Sequence, residues 1–143
     1  MAVLLIVVAA VAGFAWIGYR AQHPTQLNYD EVRSTLVGER QSAVETVTGW
    51  GSVTYGLDDG QDWIEFTTDA PGLRLFLDSR PFVRLPADRE AAAGIWAEQL
   101  KEWGGERDAY EDDSEFETNG TGYYLFVQTR DDSIQALIAR LRQ

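Results

Sequence analysis

Cysteine is absent from this sequence of 143 residues, and histidine and lysine occur only once each, at His23 and Lys101. Without cysteine the chain forms no disulfide, carries no thiolate nucleophile and holds no cysteine-based zinc or iron–sulfur site. With one histidine, beside Pro24, it also lacks the parts of Ser-His-Asp and Cys-His catalysis. We interpret His23 as a linker residue.

Sequence signatures of the common catalytic and cofactor sites are missing as well. The chain has no GxSxG elbow, no Walker loop, no GxGxxG after a strand and no HExxH motif. Carboxylates are plentiful, so a carboxylate-dependent hydrolase is the enzyme class that stays open. We predict a protein that is not an enzyme and that binds no cofactor and no metal.

Basic residues are few compared with acidic ones. The chain has 12 Lys and Arg against 23 Asp and Glu, which gives a formal net charge of −11 at pH 7. A surface of this sign repels the phosphates of nucleic acids. The sequence therefore predicts that nucleic acid is not a partner.

Charge is missing altogether from the run Ala2 to Tyr19. As a helix this run is roughly 27 Å long, close to the roughly 30 Å hydrocarbon core of a bilayer. Trp16 and Tyr19 lie where an aromatic belt meets the headgroups, and Arg20 ends the run. The sequence predicts a transmembrane anchor over residues 1–19, with Trp16, Tyr19 and Arg20 at the membrane interface.

Two other interpretations of this run are open. Ala10-Val11-Ala12 matches the cleavage pattern of a signal peptide, although the chain begins with no basic segment. A buried core helix is the second alternative, but a run that is apolar on all sides is unusual at the extreme N-terminus. The anchor is the interpretation that we favour.

The arginines that follow the run predict the side of the membrane. Arg20, Arg33 and Arg40 come after it, and the positive-inside rule then places the following domain in the cytoplasm. Residues 20–28 are a juxtamembrane linker, and residues 29–143 form one acidic soluble domain, long enough for a single core. We expect its partner to be another membrane or membrane-associated protein.

The first half of this domain predicts a helix and three strands. Asn28 and Glu31 form a capping box at the start of a helix. Residues 39–50 fit either a helix or a strand. The residues Asp58-Asp59-Gly60-Gln61 between two β-rich runs predict a hairpin of strands 52–57 and 62–68, and Pro71-Gly72 predicts a turn into a third strand, in which Leu73, Leu75 and Leu77 share a face.

The second half predicts an edge strand, two helices and another hairpin. Phe82 to Leu85 lies between two prolines, which is typical of an edge strand or an extended connection. Further along come a helix from Asp88 to Trp103, a hairpin with Asn119-Gly120 as its turn, and a final helix with Ile134, Leu137, Ile138 and Leu141 on one stripe. The fold class is α+β: an N-terminal transmembrane helix, then an antiparallel sheet of about five strands in two hairpin or meander units, with two or three helices packed on one face.

An acidic segment, Glu106 to Glu117, is the first candidate binding feature. It holds seven carboxylates against Arg107, and their spacing does not match an EF-hand loop. It is interpreted as a docking patch for a basic partner, as a cation site, or as a solvated approach to the hairpin. The residues proposed for partner binding are Asp108, Glu111, Asp112, Asp113, Glu115 and Glu117.

Trp50 is the second candidate, because it lies between Gly49 and Gly51. An indole presented there could act as a hot spot of binding, or it could fold down over a sheet edge. The sequence thus predicts a single-pass membrane protein whose domain binds another protein as an accessory subunit or adaptor. The alternative is a ligand- or cation-binding sensor domain on the outer face of the membrane.

Overall fold

The computed structural model describes Ile6 and residues 8–16, 27–55, 59–86 and 94–143. The strands are β1 (Thr46–Tyr55), β2 (Asp59–Thr68), β3 (Val83–Arg84), β4 (Asp108–Asp112), β5 (Thr121–Arg130) and β6 (Ser133–Arg142). The helices after residue 27 are α1 (Tyr29–Leu36), a 3-10 helix (Gly38–Ala43), α2 (Ala70–Asp78), α3 (Ala97–Leu100) and α4 (Phe116–Asn119).

The six strands form one antiparallel sheet in the order β1-β2-β6-β5-β4-β3. The last strand in the chain, β6, lies in the middle and pairs with β2 and β5 along its whole length. The two edges differ, because β1 is ten residues long and β3 only two. The structure therefore has an antiparallel sheet with helices, but with six strands instead of about five.

Both faces of the sheet are covered. On the first face α1, the 3-10 helix and α2 pack over a core that includes Ile64, Phe66 and Leu125. On the second face Trp96, Leu100 and Trp103 pack over a separate core. The prediction that helices lie on one face is wrong, since residues 94–103 cover the other.

The predicted transmembrane helix is also wrong. Among the described residues, no helix is both long enough and apolar enough to cross a membrane. Ile6 and residues 8–16 are helical, and a charge-free composition by itself decides neither the type nor the extent of an element. Absence of charge over the run was therefore not evidence of helix length. The predicted location and sidedness of the domain stay predictions.

The segment predicted as a third strand is the helix α2. Asp69 caps it by accepting a hydrogen bond from the Gly72 amide at 2.8 Å, and Pro71 lies in the first turn, where no backbone donor is needed. Phe76 is buried on the core, while Leu75 is 50% exposed. Pro71 and Gly72 therefore lie in the first turn of a helix and do not form the predicted turn between strands.

The segment predicted as the last helix is β6. Asp131, with φ of 49°, and Asp132 form the two-residue turn between β5 and β6. Because β6 is central, Leu137 is buried on one face and Ile138 on the other. A strand that is apolar on both faces also satisfies helical spacing, which explains the error.

Two further predictions differ in their details. Asn119 and Gly120 end the short helix α4, with Gly120 in the left-handed region at φ of 69°, instead of forming a hairpin turn. The described part of the segment 88–103 contains only the one-turn helix α3, and residues 87–93 lie outside the described residues. Near the start of the domain, the capping box of Asn28 and Glu31 is confirmed.

Candidate functional site

The outer edge of β1 is the clearest candidate site. The strand TVTGWGSVTY is ten residues long and contains no charged side chain. It has a single neighbour, β2, so within the described ranges no strand pairs with its other side. Proteins usually protect such an edge with lysine, proline or a very short strand, because its free amides and carbonyls pair with other chains. Within β1 itself, whose residues are all described, the irregularity between Val47 and Gly49 is one such device.

Two glycines in β1 leave side chains of the neighbouring strand β2 uncovered on the second face of the sheet. Gly51 pairs with Trp63, and a Cβ atom on Gly51 would overlap the Trp63 indole ring. Gly49 pairs with Glu65, and a Cβ atom there would lie 3.8 Å from the Glu65 carboxylate oxygen Oε2. The ring of Trp63 therefore occupies the space of the side chain missing at Gly51, and Glu65 beside it is half-buried.

Hydrogen bonds hold Glu65 in place. Its Oε1 accepts a hydrogen bond from the Thr48 hydroxyl at 3.1 Å and another from the Gln135 amide of β6. The oxygen that faces Gly49 is the other one, Oε2. The carboxylate is thus oriented by two neighbours on the same oxygen.

Trp50 lies on the first face of β1, at the sheet edge. Its ring meets that of Tyr29 edge-on with centroids 5.5 Å apart, and 44% of Trp50 is exposed. The indole is thus folded against α1 and also presents a large apolar surface beside the strand edge. This position is compatible with the binding role predicted for Trp50, which stays a prediction.

A buried ion-pair network supports β1 and β2 from the first face. Asp62 is fully buried and accepts hydrogen bonds from Arg140 at 2.9 and 2.5 Å and from the Ser52 hydroxyl at 2.6 Å. Arg142 lies 3.3 Å from the same carboxylate and donates to Thr54 at 3.1 Å. These contacts join the edge strand β1 to β2 and β6 and hold its backbone in a fixed position.

Four arginines gather on the first face and none of them contacts Glu65. Arg140 and Arg142 pair with Asp62, Arg80 stacks on Tyr123 with 3.4 Å from its guanidinium carbon to the ring centroid, and Arg40 lies over Phe76. Burial, and then the positive charge of Arg80, lower the pKa of Arg40. These four guanidinium groups therefore lie on the opposite face of the sheet from Glu65.

The predicted acidic patch is divided by the sheet. Asp108 pairs with Arg84 at 2.5 Å and lines an open pocket of about 220 Å³, while Asp112 is buried on the first face. Glu111 lies on the second face near Tyr124, where burial, followed by the charge of Glu111, raises the pKa of Tyr124 to about 12. These three carboxylates do not form one surface.

The remaining acidic candidates lie in or near α4. Glu115 accepts a hydrogen bond from the Asn119 side chain at 3.3 Å and lies 4.0 Å from Arg80. Glu117 is in α4, and Asp113 is exposed just before it. Partner binding by these residues stays a prediction.

Asp112 gives a pH-dependent prediction. Burial raises its pKa, but hydrogen bonds from the Ser114 hydroxyl and amide and from Arg80 outweigh this effect, so its pKa lies below the ordinary value. A depressed pKa stabilises the fold above about pH 4, the unfolded value, and this stabilisation is lost as pH falls through the folded value.

We therefore expect Asp112→Asn to lower the free energy of unfolding by about 2 kcal/mol at pH 7, since charged hydrogen bonds are lost. The difference in free energy of unfolding between wild type and variant should disappear as the pH falls below 4. Urea unfolding at pH 7, 5 and 3 measures it. The exposed neighbour Asp113→Asn is the control. A gap that is the same at all three pH values would contradict the role of the Asp112 charge.

The predicted membrane-interface residues are only partly described. Trp16 lies in the helical residues 8–16 and is 55% exposed. Tyr19 and Arg20 lie outside the described residues. With regard to metals, no cluster of three or more His, Asp or Glu residues suited to an ion occurs in the part of the chain that the structure describes.

Sequence reasoning found Trp50 but missed Trp63, Glu65 and the edge itself. Trp63 and Glu65 fall within the predicted strand 62–68, but the pairing of Gly51 with Trp63 depends on a register that a single sequence does not reveal. The signal that could have found the edge was the long run without charge from Thr46 to Tyr55.

Comparisons of the chain with protein-family models, with curated proteins and with solved structures find no match. The function therefore has to be inferred from the residues of the chain itself. Their most specific arrangement is the uncharged edge strand β1 with the opening at Gly49 and Gly51.

Proposed function

We propose that this protein is an interaction module that binds another protein by adding one of its extended segments to the outer edge of β1. The observation that carries this proposal is a ten-residue edge strand without charge. In this mode main-chain hydrogen bonds supply affinity, and alternate side chains supply specificity. The function does not require a membrane-spanning helix.

The surroundings of β1 suit this mode. Asp62, Ser52 and Arg140 fix the strand, so little of the binding energy is spent on ordering it. Trp50 adds an exposed indole on the first face. The opposite edge, β3, is two residues long and offers few groups for pairing. A cation-binding sensor has no comparable support among the described residues.

A displayed library of ten-residue segments with Val or Thr at every second position tests the proposal. After selection on the full-length protein, we expect an enriched peptide to shift and protect the backbone amides of Gly49 to Tyr55 in NMR spectra. The amides of Val83 and Arg84 on the other edge are the internal control and should not change.

Two results would contradict strand addition at β1. One is selection of no segment at all. The other is a set of shifts confined to Asp108–Glu117, which would favour the acidic segment as the docking site.

Trp50 has a separate test. We expect Trp50→Ala to weaken binding of the selected peptide about 10-fold or more, because exposed aromatic side chains often act as hot spots. Val83→Ala, on the other edge and 66% exposed, should leave the affinity unchanged. Fluorescence anisotropy of a labelled peptide measures both, and equal affinities for the two variants would exclude a hot spot at Trp50.

A further inference from the structure

The opening at Gly49 and Gly51 has a shape and charge that fit one kind of side chain. We propose that it is a subsite for an arginine or lysine on the strand that adds to β1, with Trp63 and Glu65 as its contacts. This inference rests on the proposed function, because it concerns the specificity of the same edge.

The spacing of the sheet makes the contact possible. Neighbouring strands lie about 4.8 Å apart, so an added strand would be about 10 Å from β2. Opposite most residues of β1, a side chain on the second face would meet another side chain. Opposite Gly51 it meets the ring of Trp63, which fills the place of the missing side chain, and opposite Gly49 it meets no side chain of β1, so a long side chain can cross β1 there to the carboxylate of Glu65.

The chemistry of the two contacts selects a cation with an apolar stem. Arginine and lysine lay their methylene groups on apolar surface and keep the charged group free for a polar partner. The Trp63 indole offers the surface and a cation–π contact. Since Thr48 and Gln135 both bond Oε1 of Glu65, Oε2 is directed to Gly49 and is the oxygen that an incoming cation would meet.

The charge of the hairpin region favours a basic partner over a second copy of the chain. Residues 41–73 contain no Lys, Arg or His, and besides Asp62, which is buried and paired with Arg140 and Arg142, they contain five carboxylates (Glu45, Asp58, Asp59, Glu65 and Asp69). Pairing β1 with another β1 would bring two such sets together, and like charges across an interface oppose association. A strand with basic side chains meets the opposite sign.

The test uses the full-length protein and the library described above. We expect Arg or Lys to be enriched at one of the randomised positions. The selected peptide should bind about 10-fold more tightly than the same peptide with Gln at that position, from a cation–π contact and an ion pair together. Glu65→Gln should reduce this preference to about 3-fold, the part that the cation–π contact with Trp63 supplies, while the Gln peptide binds as before. Asp78→Asn, which removes an exposed carboxylate on α2, should keep the preference.

The possible failures are distinguishable. If both peptides shift the β1 amides with equal affinity, the basic subsite is wrong and strand addition stands. If Glu65→Gln and Asp78→Asn reduce the preference equally, it comes from the overall negative charge and the subsite is again wrong. If neither peptide affects the β1 amides, the proposed function itself fails.

Discussion

Asp62→Asn is expected to lower the free energy of unfolding by about 3 kcal/mol, because it leaves partly buried arginines without their charge partner. Asp62 is fully buried, and only 16% of the Arg140 side chain and 23% of the Arg142 side chain are exposed. The asparagine keeps the shape of the side chain, so the loss reports on charge. For a domain of this size the melting temperature should fall by roughly 10 °C or more.

The matched control for this variant is Asp59→Asn, an exposed carboxylate on the same strand. We expect a change within about 0.5 kcal/mol for it. Thermal and urea unfolding of both variants measure the difference. If the two variants are equally stable, Asp62 is not a structural charge and the network does not hold β1 on the sheet.

Phe76→Ala is expected to cost about 3 kcal/mol or more, the usual loss for a buried phenylalanine. Phe76 is fully buried against Phe66, with ring centroids 4.9 Å apart, while the adjacent Leu75 is 50% exposed. Leu75→Ala should therefore cost less than about 1 kcal/mol. Urea unfolding of the pair gives both values.

This pair also distinguishes the helix α2 from the strand that the sequence predicted. In an alternating strand, Leu73, Leu75 and Leu77 would face the core and Phe76 would face solvent. A larger loss for Leu75→Ala than for Phe76→Ala would therefore contradict the helix. Burial of Phe76, with Leu73 and Leu77 partly buried beside it, is the pattern of a helix face.

Sequence reasoning succeeded where structure is determined by neighbours in the chain. Asn28 and Glu31 are three residues apart and satisfy each other's backbone, so the start of α1 was predictable. The hairpin of β1 and β2 was predictable from two β-rich runs around an Asp-Gly, although Asp59 and Gly60, predicted as turn residues, belong to β2 and both strands are longer than expected. Local chemistry decides both features.

Sequence-based prediction failed where the secondary structure of a segment depends on the rest of the fold. The alternation of leucines after Pro71 and the spacing of apolar residues after Ser133 each fit two types of element. In β6 the outcome depends on two neighbouring strands that bury both faces. A single sequence contains no information on those neighbours.

The candidate site was likewise predictable only in its local features. The glycines around Trp50 drew attention to the right strand, but their role is different from the one predicted. Both glycines pair with β2, Gly49 with Glu65 directly after the bulge and Gly51 with Trp63. Their effect is to uncover Trp63 and Glu65. The charge partner of the buried Asp62 is Arg140, which is 78 residues away in the sequence. Register and long-range pairing were needed to see either.

The position of β6 has a consequence for synthesis on the ribosome. Chains emerge N-terminal end first, and β6 follows every other strand of the sheet. Until residue 142 has left the exit tunnel, the hairpin of β1 and β2 has no central strand to join, and β5 lacks its longest partner. A nascent chain therefore carries two strand edges that the folded sheet closes (one side of β2 and one side of β5) in addition to the outer edges of β1 and β3, and any product truncated before Ser133 has the same defect permanently.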